Sequence, residues 1–318
     1  MNMHETMVDR VNHFVRSKRS VGFQLKIEGR ELLRFARYAD AVGHSGPITT
    51  ELILNWAHEA AAHSRLYQAR RVEMARTFAK FEAAFEPATQ IPLRRVLGPA
   101  HQRIEPYLYT DQQVTGLVAA ALRLQPTNGL RPRTYATLIG LIASTGLRVG
   151  EACRLHRDDF RFEQRILRIR NTKFHKARIV PIHDTTAGAL QDYVRFRDRY
   201  KPSANVGSFL LSEQGRTIST AMADYTFRKL RDSTGCKAPA GRRPPRLYDL
   251  RHTFACKRLL QWYHDGVDLN RCIAHLCTYL GHVKPTDTYW YLSATPELMA
   301  VAAKRFESYV NLDAGTTP

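Results

Sequence analysis

The 318-residue sequence predicts a mainly α-helical, α+β chain with a small β-hairpin, organised as two domains. Three observations carry that expectation. Apolar residues recur at helical spacing through the first ~85 positions. Four prolines then fall between Glu86 and Pro106, and beyond them a long second run of helical patterning is interrupted by two short β-branched segments.

A chain of this length holds one large core or two ordinary ones, and the proline cluster favours two. An apolar fraction of 44% and a charged fraction of 24% exclude wholesale disorder and fibrous structure. Val8, Val11, Phe14 and Val15 mark the first helix. Leu32, Leu33, Phe35 and Ala36, punctuated by Arg30, Arg34 and Arg37, mark a second, so both are amphipathic and basic-faced. Further helices are expected over Glu51 to His63 and Arg65 to Phe85, the latter with Ala75, Phe78, Phe81 and Phe85 on one face. Residues 1–88 therefore read as an all-helical domain. Pro87, Pro92, Pro99 and Pro106 break helices and favour an extended linker over residues 89–108.

Thr110 and Gln113 have the spacing of a capping box before Val114, Leu117 and Val118, which opens a second domain over 109–312, with a short tail at 313–318. Leu138 to Ala143 is apolar on all sides and predicts a buried helix ending near Gly146, with Arg148 just beyond it. Ile166, Leu167 and Ile169, then Ile179, Val180 and Ile182, read as hairpin arms, placing Lys173 and Lys176 in the turn. From Asp184 the pattern is again helical, through Leu190, Tyr193, Leu259 and Leu260 to Met299 and Tyr309.

Lys and Arg number 48 against 29 Asp and Glu, a formal charge of +19, which predicts a polyanionic partner. The basic residues are spread over both domains rather than gathered on one amphipathic helix, which favours nucleic acid over a membrane surface. No stretch approaches the roughly 20 apolar residues of a membrane span. Met1 to Arg19 mixes acids and bases without an apolar run, so no secretory signal is expected and the reading is a cytoplasmic protein. The five cysteines fit reduced thiols, with Cys153 and Cys256 as small core residues. Cys272, His275 and Cys277 lie close together but lack the second ligand pair of a zinc site, so no metal is expected.

Four segments place a cation, imidazole or phenol beside small or turn-forming residues, as a phosphate site requires: Thr145 to Glu151, Lys173 to Pro181, Tyr248 to Thr253 and Leu280 to Tyr291. Their strings T-G-L-R-V-G-E, K-F-H-K-A-R-I-V-P, D-L-R-H-T-F-A and L-G-H followed by a tyrosine, in this order, resemble the tyrosine recombinase (phage integrase) family over about Thr110 to Tyr309. The resemblance implies a helical core-binding domain followed by a catalytic domain. It implies cleavage and rejoining of double-stranded DNA through a 3′-phosphotyrosine, without metal, ATP, other cofactor or small-molecule substrate, by four protomers of one chain.

By that resemblance Arg148 is the first catalytic arginine, and a guanidinium fork suits two phosphate oxygens at any working pH. Glu151, one turn on, would orient it or cap the helix. Lys173 matches the hairpin lysine that protonates the leaving 5′ oxygen, with Lys176 as fallback. Arg251 is the second arginine, His252 packs or supports, and His282 hydrogen-bonds the scissile phosphate after Gly281 allows a tight turn. The nucleophile lies nine positions beyond that histidine, and 282 + 9 gives Tyr291. On a helix Tyr289 would stand about 200° away from it, so Tyr289 and Trp290 are expected to pack.

The sequence departs from the family at Tyr248, where a histidine is usual. A phenol, with an ordinary pKa of about 10, is a poor proton acceptor near neutrality, so Tyr248 is an orienting donor or a buried aromatic. Lys176, Arg178, Arg242, Arg243 and Arg246 are candidate contacts to backbone phosphates. Pro296 to Val310 reads as an amphipathic helix that docks on a neighbouring protomer or packs within its own chain. Two other functions use the same features. A type IB topoisomerase shares the tyrosine chemistry, and an inactive DNA-binding regulator is kept open by Tyr248.

Overall fold

The computed structural model describes residues 6–59, 63–102, 105–170, 177–201, 207–293 and 300. Lys173, Lys176 and nearly all of the Pro296 to Val310 segment lie outside the described residues. The chain divides into two compact units, Met1–Ile104 and Glu105–Pro318.

In the first unit, α1 (Met7–Ser20), α2 (Lys26–Ala41), α3 (Thr50–His58) and α4 (Arg65–Glu82) enclose one core. Val11 and Phe14 of α1, Phe35 and Ala39 of α2, Trp56 of α3 and Phe78 of α4 fill it, with Phe14 edge-on to Phe78 at 5.5 Å and Phe35 edge-on to Trp56 at 5.2 Å. Such aromatic pairs add directional preference to the area they bury. The expected helices are present, with shorter C-terminal ends. Because α4 stops at Glu82, Phe85 lies past its last turn and is 68% exposed instead of on the buried face.

The proline-containing run is not a free tether over its whole length. The Gln90 N–H donates to Ile48 O at 2.8 Å, Arg76 Nε to Pro92 O at 2.7 Å, and the Arg95 N–H to Glu73 Oε1 at 3.0 Å. An extended backbone leaves its polar groups unpaired, and the helical unit supplies partners for them. The division between units falls at 104/105, within the 89–108 run.

The second unit opens with α5 (Asp111–Leu122), whose capping box forms as expected: Thr110 Oγ1 accepts from the Gln113 N–H at 3.2 Å, and Gln113 Oε1 from the Thr110 N–H at 3.0 Å. The buried helix α6 (Leu130–Thr145) comes next and packs against α5, α8 (Asp184–Tyr200) and α10 (Asp249–His264), with Leu138, Ile139, Leu141 and Ile142 enclosed. It ends at Gly146, whose φ of +64° is the left-handed conformation that closes helices. The short α7 (Val149–Cys153) leaves that turn.

The two expected hairpin arms, β2 (Ile166–Ile169) and β3 (Arg178–Pro181), pair antiparallel with Leu167 opposite Val180. A two-residue strand, β1 (Phe160–Arg161), adds a third member through Phe160 opposite Leu167. Two residues are too few to leave an alternating signature, which is why the sequence pattern gives no sign of it.

Helix α9 (Thr220–Ser233) completes the larger core of this unit. A second, smaller core joins α10, α11 (Leu269–Leu280) and α12 (Thr286–Ser293) through Ala255, Leu259, Ile273, Leu276 and Tyr291. All five cysteines are buried free thiols, and no helix among the described residues is long and apolar enough to cross a membrane.

The Gly146 turn is a point of close packing between α6 and α10. A Cβ there would stand 2.5 Å from Phe254 Cδ1 in a backbone conformation that L residues rarely adopt. Gly146→Ala should lower unfolding stability by about 1–3 kcal/mol in urea titration. An unchanged midpoint would mean that the turn is not constrained.

Candidate active site

Three arginines and one carboxylate make the framework of the site. Arg148, at the start of α7, points its guanidinium at the turn after α11: Nη2 donates to Gly281 O at 2.8 Å and Nη1 to Leu280 O at 3.4 Å. Arg251, fully buried on α10, approaches the same turn, with Nη2 on Leu280 O at 2.9 Å and Nη1 on Gly146 O at 2.7 Å. Backbone carbonyls thus draw two like-charged groups onto one short segment. Gly281, at a φ of +68°, lets that segment turn, and a Cβ there would stand 2.7 Å from Arg178 Nη1.

Glu151 balances part of this charge. Its carboxylate accepts Arg148 Nη1 at 2.8 Å and the Arg148 backbone N–H at 3.1 Å. It also accepts Arg178 at both oxygens, at 3.0 and 2.8 Å. Burial alone would raise its pKa, but the hydrogen bonds and charge of Arg178, with the charge of Arg148, outweigh that and bring it down to about 2. Burial, reinforced by the Arg148 charge, lowers the Arg251 pKa from its high ordinary value.

His282 Nε2 lies 2.8 Å from Arg251 Nη2 and its Nδ1 lies 2.7 Å from Thr288 Oγ1. A guanidinium nitrogen offers no lone pair, so Nε2 is the acceptor and the Nδ1–H donates to Thr288. This fixes a neutral tautomer, and burial together with Arg251 and Arg148 pushes its pKa down to about 3. Tyr291, on α12, is 2% exposed with its hydroxyl 3.2 Å from His252 Nδ1 and its ring stacked on His282 at 6.1 Å. Burial pushes the phenol up to about 12, against the pull of Arg251. His252 is pushed down to about 4 by burial, with Asp249 opposing and Arg246, Arg251 and Arg243 assisting.

The structure therefore brings together Arg148, Glu151, Arg251, His252, His282 and Tyr291 from well-separated stretches of chain. It revises three expectations and adds one partner. Arg178 is not spread on the surface for DNA: it is largely buried, tied to Glu151 and donating from Nε to Tyr279 O at 2.9 Å. His282 faces Arg251, and Thr288, which the sequence pattern does not single out, holds its other nitrogen. A threonine six residues from a histidine carries no signal in one dimension. Tyr289 does not pack but is 46% exposed, because the helical turn that buries Tyr291 and half-buries Trp290 faces it outward. Tyr248 is 37% exposed, edge-on to His252 at 4.9 Å, so it is not a buried aromatic.

In the loop before α10, Arg242 pairs with Glu105 at 2.9 Å and Arg246 with buried Asp249 at 2.8 Å, while Arg243 is half-buried. These carboxylates hold the loop in shape and leave the Arg242 and Arg246 side chains about half exposed. Among the described residues, no group of three or more His, Cys, Asp or Glu side chains could hold a metal ion.

Removing one partner of a buried ion pair typically costs about 3–5 kcal/mol, so Glu151→Gln should destabilise the fold on that scale, and adding Arg178→Met should recover part of the loss. A double variant no more stable than the single would disprove the pairing. The unfolded chain takes up protons at His252 and His282 near their ordinary value of 6.5, whereas the folded chain does so only near 4 and 3. The melting temperature should therefore be fully developed above pH 6.5 and decline as pH falls toward 3. Replacing both histidines with Gln should flatten that decline, and a profile unchanged by the replacement would contradict their burial as neutral rings.

Known proteins resemble this chain in sequence and in fold. The profile of the phage integrase family matches residues 109–297. The integrase/recombinase y4rB of Sinorhizobium fredii is 37% identical over 301 residues, covering 93% of this chain and 96% of that one. Tyrosine recombinase XerC of Chlamydia trachomatis is 30% identical over 236 residues, covering 74% of this chain and 69% of that one. Among solved structures, the Tn1549 transposon integrase in complex with transposon right end DNA superposes with a TM-score of 0.69 at 16% identity, covering 94% and 99% of the two chains. A lambda integrase tetramer bound to a Holliday junction does so with 0.59 at 15% identity, covering 88% and 78%. The fold, the arginine-lined turn beside a buried tyrosine and these relatives together place the chain in the phage integrase family of tyrosine recombinases, which are DNA strand transferases.

Proposed function

We propose that this recombinase cleaves its DNA site with Tyr291 as nucleophile and Arg148 and Arg251 as the phosphate clamp. The observation that carries the reading is the convergence of both guanidiniums on the Leu280–Gly281 carbonyls, beside Tyr291. Neutral carbonyls hold the arginines in the free protein, and phosphate oxygens are stronger acceptors for the same forks. Three arginines against one carboxylate leave a local charge of +2, matched to the dianionic pentacoordinate phosphorus of an in-line displacement.

Tyr291 Oη attacks phosphorus, the bond to the 5′ oxygen breaks, and a 3′-phosphotyrosine forms. Lys173 protonates the departing 5′ oxygen, as its family position implies. Bond energy stays in the phosphotyrosine, so the reaction needs no ATP, and the arginines supply the positive charge at phosphorus. A 5′ hydroxyl from a second duplex then attacks that phosphorus and exchanges strands. Glu151 and Arg178 act as positioning residues that hold Arg148, and His282 holds Arg251. Arg242, Arg243 and Arg246 track the phosphate backbone, with Lys176 reaching it from the hairpin. Four copies act on two double-stranded sites, and the protein works in the cytoplasm, on the nucleoid.

The enclosed Tyr291 hydroxyl favours one second reading, a chain that binds DNA without cutting it. Nicked suicide duplexes, drawn from DNA flanking its gene and from a random pool, decide between the two in chelator without ATP. A denaturation-resistant adduct, present in Tyr289→Phe and absent in Tyr291→Phe, is expected. DNA binding with no adduct would leave the regulator, and an adduct that survives Tyr291→Phe would move the nucleophile elsewhere. Arg148→Lys keeps the charge but loses the fork, and should slow adduct formation by about 10²-fold or more. An unchanged rate would remove Arg148 from the clamp.

A further inference from the structure

We propose that His252 is the catalytic residue that receives the Tyr291 proton during cleavage, in a chain that carries tyrosine at position 248. The inference rests on the nucleophile assignment above. Its basis is contact: His252 Nδ1 lies 3.2 Å from the hydroxyl, within reach of a proton that must leave as the oxygen attacks. The imidazole is held in that pose by its surroundings. Tyr248 stands edge-on at 4.9 Å and Trp290 edge-on at 5.4 Å, Tyr291 is tilted against it at 5.5 Å, and only 9% of the residue is exposed.

The other candidate acceptors are committed elsewhere. His282 has one nitrogen on Arg251 and the other on Thr288, so protonating Nε2 would set a cation against a guanidinium. The Glu151 carboxylate is filled by Arg178 and Arg148. A phenol at 248 accepts a proton poorly. Position 252 directly succeeds Arg251 on α10, and neighbouring positions on a helix diverge by about 100°. Arg251 is thereby directed at the turn that holds the phosphate clamp, and His252 at α12 and the nucleophile.

In the step, the Tyr291 O–H bond breaks and its proton passes to Nδ1 while Oη bonds to phosphorus and the 5′ oxygen leaves, taking a proton from Lys173. In rejoining, the imidazolium returns the proton to Oη as the incoming 5′ hydroxyl, deprotonated by Lys173, displaces it. The charged groups around the imidazole are Asp249 on its own helix and Arg246, Arg243 and Arg251. Arg148 lies with Arg251 at the clamp, and Tyr248 and Tyr291 are the titratable phenols in contact. A docked phosphate offsets the arginine charges, and so raises the basicity of His252 when it is needed.

The test uses the full chain on a nicked suicide duplex that traps the wild-type adduct. His252→Asn keeps an amide oxygen near the Nδ1 position but cannot take the proton, and His252→Gln replaces it if the Asn variant does not melt cooperatively. Expected are unchanged affinity for the duplex, single-turnover cleavage slower by about 10²-fold or more, and a rate that climbs with pH between about 6 and 9 where the wild type levels off. A 5′-phosphorothiolate at the scissile position needs no leaving-group proton, so it should restore Lys173→Ala and leave the His252 defect in place. An unchanged rate would overturn the proposal. So would a faster one, which would make His252 a latch. A slower rate with the wild-type pH shape would reduce His252 to packing, and rescue by the phosphorothiolate would make it the acid. Failure of the wild type to form an adduct strikes the nucleophile assignment and takes the proposal with it, whereas a normal wild type with an unaffected variant strikes the proposal alone.

Discussion

Glu151 is the group on which the rest of the site depends. Two like charges 4 Å apart repel by about 4 kcal/mol at the effective dielectric of a protein, and Arg148, Arg178 and Arg251 are gathered around one turn. A single buried carboxylate, with one oxygen pair shared between two guanidiniums, makes that gathering tolerable. It also joins elements far apart in sequence: α7 through its own N-terminus, β3 through Arg178, and the end of α11 through the bond from Arg178 to Tyr279 O. Loss of this carboxylate would disturb the first arginine, the sheet edge and the α11 turn together.

The second constraint is conformational. Gly146 and Gly281 both adopt positive φ, and both present carbonyls to the arginines of the clamp. Such turns bring the backbone close, so that with Leu280 O their carbonyls serve as acceptors for the two guanidiniums. On the proposed function the clamp is formed before a phosphate arrives, with its donors already aimed at carbonyls, and binding would exchange one set of oxygens for another. Preorganisation of this kind removes reorganisation from the reaction step.

The proposed nucleophile is held by different physics. Tyr291 belongs to the small apolar core shared by α10, α11 and α12, and its burial raises the phenol pKa, while their own burial and the nearby arginines keep both neighbouring histidines neutral. An apolar core fixes the ring, and neutral imidazoles leave the surrounding positive charge to the arginines. If Tyr291 is the nucleophile, the same enclosure means that access to Oη has to be gained when DNA engages the site, so the packing that positions the tyrosine also restrains it.

Much of this was legible in the sequence because it is local. Helical spacing marked α1, α2 and α4, an all-round apolar run marked α6, the Thr110 to Gln113 spacing marked a real capping box, and β-branched runs marked β2 and β3. The ordered motifs marked Arg148, Arg251, His282 and Tyr291, since each carries its own turn or helix context. What the tertiary structure alone decided is partnership. Arg178 has the composition of a surface cation, and only the fold sets it on Glu151. His252 has the look of a packing residue, and only the approach of α12 to α10 puts its nitrogen on the Tyr291 hydroxyl. Thr288 and the carbonyls of Gly146, Leu280 and Gly281 leave no trace in composition or spacing, because every residue has a carbonyl and its role depends on what long-range packing brings against it.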